Sequence, residues 1–180
     1  KSLVTSMLSV IMQRRGCQTA VLDADALNAL AAGKIKSPLP DQTVITPHPG
    51  EAARLLDCTV GEVQADREAA ARRLAGMCHC IAVLKGRGTL IATPGGEVYR
   101  NPTGSAGLAK GGSGDILAGL LSGLLAAGLK QGRTAEDAAI AAVWLHGAAG
   151  DRCAKRLGMA AMLPHDIFAD LGAIFAELER

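Results

Sequence analysis

The sequence predicts an α/β domain with a mainly parallel sheet, helices on both faces and a late β-hairpin. Three observations carry this. Short β-rich runs alternate with helical segments along the chain. The run Ile81-Ala-Val-Leu84 is apolar throughout, which suits a central strand covered on both faces. Gly95-Gly96 lies between two β-rich runs and marks a hairpin turn.

The elements follow in order. Residues 2–14 read as a helix with Leu3, Met7, Val10 and Ile11 on its apolar face, ended by Gly16. Thr19 to Leu22 is a strand, and Asp23-Ala-Asp25 turns into a helix from Ala26 to about Ala32. Thr43 to Thr46 is a strand, Pro47 to Gly50 a turn and Glu51 to Leu56 a helix. Thr59-Val-Gly-Glu62 is a capping-box pattern, from which one helix is expected to run to about Met77. Ile81–Leu84 and Thr89–Ala92 are strands, and the hairpin returns through Glu97–Arg100. A glycine-rich loop then leads into a helix expected to open at Asp115. Thr134 starts another helix to about Leu157, and Pro164 opens a last one to about Leu178.

At 180 residues the chain is expected to be a single domain, 1–180, large enough to bury a core. The first helix has no strand before it, so the expectation is a domain lacking its N-terminal part. Aromatic residues are nearly absent, so Ala, Leu, Val and Ile must build the interior. The net charge is +2 with both signs interleaved, which argues against nucleic acid. The apolar run Ile116–Leu129 is too short for a membrane span of ~20 residues. Five scattered cysteines, Cys17, Cys58, Cys78, Cys80 and Cys153, read as free thiols in a reducing compartment, hence a cytoplasmic location. Cys78-His79-Cys80 lacks zinc-site spacing and a second pair, so packing is the expected role and no protein metal ligands are assigned.

The chemistry concentrates at Gly111-Gly-Ser-Gly-Asp115. Small residues expose backbone N–H groups, and at a helix start those donors and the positive dipole end face one point. That point suits phosphate. A carboxylate there makes sense if a hydroxyl loses its proton as a phosphoryl group arrives. The alternative is Asp115 as an ordinary cap or first-turn acid. A P-loop is excluded because Gly33-Lys34 is followed by Ile35. A dinucleotide fingerprint is excluded because Leu117 stands where its third glycine should be.

Further candidates sit at strand ends. Pro47 and Pro49 fix the backbone around His48, which favours ligand contact, whereas Glu51 reads at least equally as a cap. Lys85-Gly86-Arg87-Gly88-Thr89 offers two cations, a hydroxyl and close backbone approach, or else an ordinary turn. Asp23, Asp25 and Asn28 read as caps rather than as metal ligands through water. His146, on an apolar helix, reads as structural.

Together, Val21-Leu-Asp-Ala-Asp-Ala-Leu-Asn28, Thr46-Pro-His-Pro-Gly-Glu51, Lys85-Gly86 with Thr89, and Gly111-Gly-Ser-Gly-Asp-Ile-Leu-Ala-Gly119 resemble the ADP/ATP-dependent NAD(P)H-hydrate dehydratases, of ribokinase-like fold. The glycine–aspartate signature is shared with sugar and vitamin kinases. The His-Pro-Gly-Glu segment points to the dehydratase. The resemblance implies dehydration of the S-form of hydrated NADH or NADPH, by phosphorylation of the added hydroxyl and elimination of phosphate.

It implies Asp115 as catalytic base and substrate contact, and His48 as a further substrate contact. Nucleotide-binding roles fall to Lys85, Gly86, Arg87, Gly88 and Thr89, with Ser105, Lys110, Gly111, Gly112, Ser113 and Gly114. ADP or ATP is the implied phosphoryl donor, with Mg2+ held on the phosphates mostly through water. A homo-oligomer and a fused or separate epimerase domain are compatible with it. Where relatives commonly carry Gly-Asn-Pro-Gly-Met, this loop reads Gly104-Ser105-Ala106-Gly107-Leu108. The front of the domain, with a Gly-Pro-Gly loop, is not in the sequence. The competing readings are a ribokinase-like small-molecule kinase and a non-catalytic nucleotide-binding fragment.

Overall fold

Alternation along the strands decides how the layers stack. The computed structural model describes residues 17–35 and 39–180; the helix expected over 2–14 lies outside them. The strands are β1 (Thr19–Leu22), β2 (Gln42–Ile45), β3 (Ile81–Leu84), β4 (Leu90–Ala92) and β5 (Val98–Arg100), side by side in chain order. β1, β2 and β3 run parallel. β4 and β5 are antiparallel to their neighbours and form the expected hairpin. The helices are α1 (Asp25–Ala31), α2 (Pro49–Leu56), α3 (Val60–Ala65), α4 (Arg67–Cys78), α5 (Ser113–Leu129), α6 (Ala135–Leu157) and α7 (Ile167–Leu178).

Successive side chains of β3 and β4 enter opposite cores. Ala82, Leu84, Leu90 and Ala92 pack with α1, α2 and α4 residues such as Leu27, Leu56 and Leu74. Ile81, Val83 and Ile91 pack with Leu117, Leu121, Ala139 and Val143 of α5 and α6. The expectation of helices on both faces therefore holds, with β3 buried throughout. A third cluster, including Leu145, Cys153, Ile167 and Leu171, joins α6 to α7. No helix among the described residues is long and apolar enough to cross a membrane.

Three boundaries differ from the sequence reading. The helix expected from Thr59 to about Met77 breaks at Asp66, which leaves helical geometry and accepts the Ala69 N–H with its carboxylate. An aspartate offers the backbone this alternative bond and so starts a helix more readily than it continues one. α5 opens at Ser113 rather than Asp115, because Gly112 takes a φ of 98° at the cap position. Pro164–Asp166 forms a 3₁₀ turn, and α7 proper begins at Ile167.

The glycine-rich loop lies along α6. The Asn101 amide donates to Thr103 and to the Val143 carbonyl, and the Thr103 hydroxyl to the Trp144 carbonyl. Asp151 accepts the Gly104 N–H at 2.9 Å. This closeness depends on Gly147 and Gly150. A Cβ on Gly147 would lie 2.2 Å from Thr103 Oγ1, and one on Gly150 2.5 Å from a Leu108 methyl. Gly147→Ala should therefore destabilise the protein by about 1–3 kcal/mol through overpacking. Gly119→Ala, with nothing within 4 Å of the added carbon, should be neutral or stabilising by up to about 1 kcal/mol. Paired urea denaturation curves check this; equal effects would mean that the loop does not depend on close docking.

Candidate active site

Parallel strands deliver their C-terminal ends to one edge of a sheet. Here β1, β2 and β3 lead into Asp23, the His48 turn and Lys85 respectively. These three face the α5 N-terminus and the loop that precedes it across a cavity of about 820 Å³. All the site residues singled out in the sequence line this cavity: Asp115, His48, Lys85 to Thr89, Ser105 and Lys110 to Gly114.

The α5 N-terminus has no side-chain cap. The N–H groups of Gly112, Gly114 and Asp115 donate to no protein acceptor among the described residues. The Asp115 carboxylate is exposed and also makes no protein hydrogen bond there. Asp115 therefore does not cap α5, although it does stand as an acid in the helix's first turn. What remains is a helix start with open donors beside a free carboxylate.

His48 does more than the sequence suggested. Its Nδ1 accepts the N–H groups of Gly50 and Glu51 at 3.0 and 3.3 Å. Glu51 Oε2 accepts the His48 N–H at 2.8 Å, which closes a reciprocal capping box. Gly50 is required because a Cβ there would lie 2.9 Å from the imidazole ring. The His-Pro-Gly-Glu sequence is thus a helix start in its own right. The imidazole is half exposed, with Nε2 3.5 Å from Glu51 Oε1, and it lines the cavity.

Asp23 does not cap α1 as expected. Ala24 holds the cap position without a side-chain bond, and Asp23 Oδ1 instead accepts from Lys85 Nζ at 2.7 Å. Glu51 Oε2 lies 4.0 Å from the same ammonium. A Cβ added to Gly114 would stand 3.4 Å from Lys85 Nζ. Lys85 is therefore held by two carboxylates at the mouth of α5. Lys110 is committed elsewhere: its ammonium donates to the carbonyls of Met159, Ala160 and Met162. Its visible role is to tie the loop to the turn after α6. Ser105 Oγ accepts the Gly107 N–H and caps the short turn Ala106–Leu108. The Thr89 hydroxyl donates to the Gly86 carbonyl. Among the described residues lining the cavity, Arg87 carries the cationic side chain without a protein partner.

Residues 3–172 match the profile of the NAD(P)H-hydrate dehydratase family. The chain belongs to that family.

Within the family, an ADP-dependent (S)-NAD(P)H-hydrate dehydratase from Neisseria meningitidis is 46% identical over 159 residues, covering 87% of this chain and 52% of that protein. A bifunctional NAD(P)H-hydrate repair enzyme from Moorella thermoacetica is 45% identical over 162 residues, 89% of this chain and 30% of its own length. The chain thus spans about half or less of these relatives. An ADP/ATP-dependent NAD(P)H-hydrate dehydratase from Bacillus subtilis, co-crystallised with ATP/Mg2+, superposes with a TM-score of 0.78 at 33% identity, over 88% of this chain and 55% of that one. A ribokinase-like superfamily protein from Enterococcus faecalis gives 0.76 at 29% identity, over 97% and 57%. The fold is ribokinase-like.

One further residue of this family member, expected to be structural, lines the cavity as well. His146 on α6 is buried beside the Ser113 backbone, at the very start of α5. Its Nε2 and the Ser113 hydroxyl have no protein partner among the described residues. Burial pulls its pKa down to about 4, against the opposing effect of the Ser113 bond. The only sequence signal was a polar residue preceding Gly147 on an apolar helix. The unfolded chain takes up this proton near the ordinary histidine value of ~6.5 and the folded chain only near 4. Stability from the neutral form is therefore complete above about 6.5 and lost as pH falls towards 4, at up to ~1.4 kcal/mol per pH unit. His146→Gln should flatten this part of the profile. Melting temperatures between pH 7 and 5 test it; parallel loss in both proteins would assign the acid sensitivity to other groups.

Proposed function

We propose that the protein carrying this chain is a hydro-lyase that dehydrates the S-form of hydrated NADH or NADPH, using ADP or ATP as phosphoryl donor. The observation that carries this is the open α5 N-terminus, with unpaired N–H groups and a free Asp115 carboxylate in the cavity that His48 also lines. Its family membership and the names of its relatives support the substrate. Free thiols at all five cysteines agree with a cytoplasmic location.

Each residue then has a task. Asp115 takes the proton from the added hydroxyl as its oxygen attacks the terminal phosphoryl group. The N–H groups of Gly112, Gly114 and Asp115 stabilise charge on the transferring oxygens. Asp23 and Glu51 hold Lys85 at the helix mouth, where its charge complements that of the phosphates. Phosphate then leaves with the C–O bonding pair, far more readily than hydroxide, the neighbouring ring carbon gives up a proton to water, and the electrons of that C–H bond re-form the ring double bond. His48 orients the hydrated ring through Nε2 while Nδ1 stays in the cap. Among the described residues no group of three or more His, Cys, Asp or Glu could hold a metal ion. Mg2+ accompanying the nucleotide would be held by phosphate oxygens and water and would supply charge neutralisation on the phosphates.

Asp115→Asn should lower turnover by ~10²–10⁴ while nucleotide binding persists, because the amide keeps the shape but cannot take the proton. The assay follows inorganic phosphate release with recovery of NADH absorbance in the full protein. Turnover equal to the unaltered protein removes Asp115 from the base role. Phosphorylated hydrate accumulating without phosphate release would identify a simple kinase. His48→Asn keeps a capping acceptor but loses the ring. It should weaken hydrate binding more than ADP binding in calorimetric titrations; equal loss for both would leave His48 with the cap alone.

A further inference from the structure

The loop Lys85–Thr89 is shaped from behind by one side chain that does not line the cavity. Arg67 stands at the first turn of α4. Its guanidinium donates to the carbonyls of Leu84, Lys85, Arg87 and Gly88. Gly86 approaches so closely that a Cβ would lie 3.0 Å from Arg67 Nη2, and its φ is 137°. Burial, with the nearby Arg100 charge, lowers the Arg67 pKa. A half-buried guanidinium given over to four carbonyls of one loop is an unusual use of an arginine on an otherwise Ala/Arg-rich helix.

The consequence follows from the planar trans peptide, in which C=O and the next N–H point in opposite directions. Arg67 holds the carbonyls of Lys85, Arg87 and Gly88 towards itself. The N–H groups of Gly86, Gly88 and Thr89 are therefore turned away from Arg67. None of the three donates to a protein acceptor among the described residues, and all three residues line the cavity. N–H groups held this way, two of them on the successive residues Gly88 and Thr89, offer donors to an electron-rich acceptor. The Arg87 side chain stands on the same loop without a partner among the described residues.

We propose that Arg67 is a positioning residue for the nucleotide: it sets the peptide planes of Gly86–Thr89 so that their N–H groups bind acceptor atoms of ADP or ATP. This rests on the nucleotide-dependent reading of the cavity. The acceptors are phosphate oxygens or adenine ring nitrogens, which share the same lone-pair chemistry.

Calorimetry on the full protein tests it, with ADP, AMP and hydrated NADH as separate titrants. Arg67→Ala should weaken ADP about tenfold or more, the scale of lost bonds to a charged ligand, and leave hydrate affinity unchanged. Arg67→Lys, which retains a charge but not the fork, should fall between. A loss shared by AMP places the contact at the base or the α-phosphate; a loss confined to ADP places it at the terminal phosphate. Unchanged ADP affinity, or equal weakening of ADP and hydrate, overturns the proposal. If Arg67→Ala does not fold, NMR of the unaltered protein decides: ADP should shift the amide signals of Gly86, Gly88 and Thr89, and unmoved signals overturn it. Binding is read without turnover, so a protein that binds ADP but dehydrates nothing would count against the enzyme reading and not against Arg67.

Discussion

Everything in this molecule turns on hydrogen-bond donors left open at the start of α5. A helix exposes its first N–H groups wherever it begins, and most proteins close them with a side chain. Here Gly112 takes the cap position in left-handed geometry and brings no acceptor. The donors stay available only because the preceding loop cannot collapse onto them. Gly147, Gly150 and Asp151 hold that loop flat on α6, and Lys110 fastens it to the turn before α7. The absence of side chains at Gly147 and Gly150 is thus linked to function through packing.

Opposite those donors lies a chain of charges that runs across three strand ends. His48 and Glu51 cap each other, Glu51 approaches Lys85, and Lys85 binds Asp23. Burying a lone ammonium would be costly, and two carboxylates offset that cost. The pairing also fixes where the positive charge stands. A residue such as Asp23 therefore acts on the site through Lys85, whatever ligand occupies the cavity.

Much of this was legible in the sequence. Apolar runs and glycine pairs gave the strands and the hairpin, because short-period patterns and turn chemistry are local signals. The glycine run marked a helix start with open N–H groups for the same reason. What escaped was of two kinds. The His48 half of the cap is not expected because histidine is not among the usual N-cap residues, so within the motif only Glu51 reads as a cap and the imidazole reads as a ligand contact. The Lys85–Asp23 pair, the Arg67 clamp and the docking of Gly147 join residues far apart in the chain, and no local pattern reports them. Asp66 was hidden in a run of good helix formers, where one capping carboxylate outweighs propensity.

The most direct test is a crystal structure of the full protein soaked with ADP. The expected result places the terminal phosphate within hydrogen-bond distance of the Gly112, Gly114 and Asp115 N–H groups, with Lys85 Nζ beside it. Phosphates bound elsewhere in the cavity, with those N–H groups facing only solvent, would contradict it.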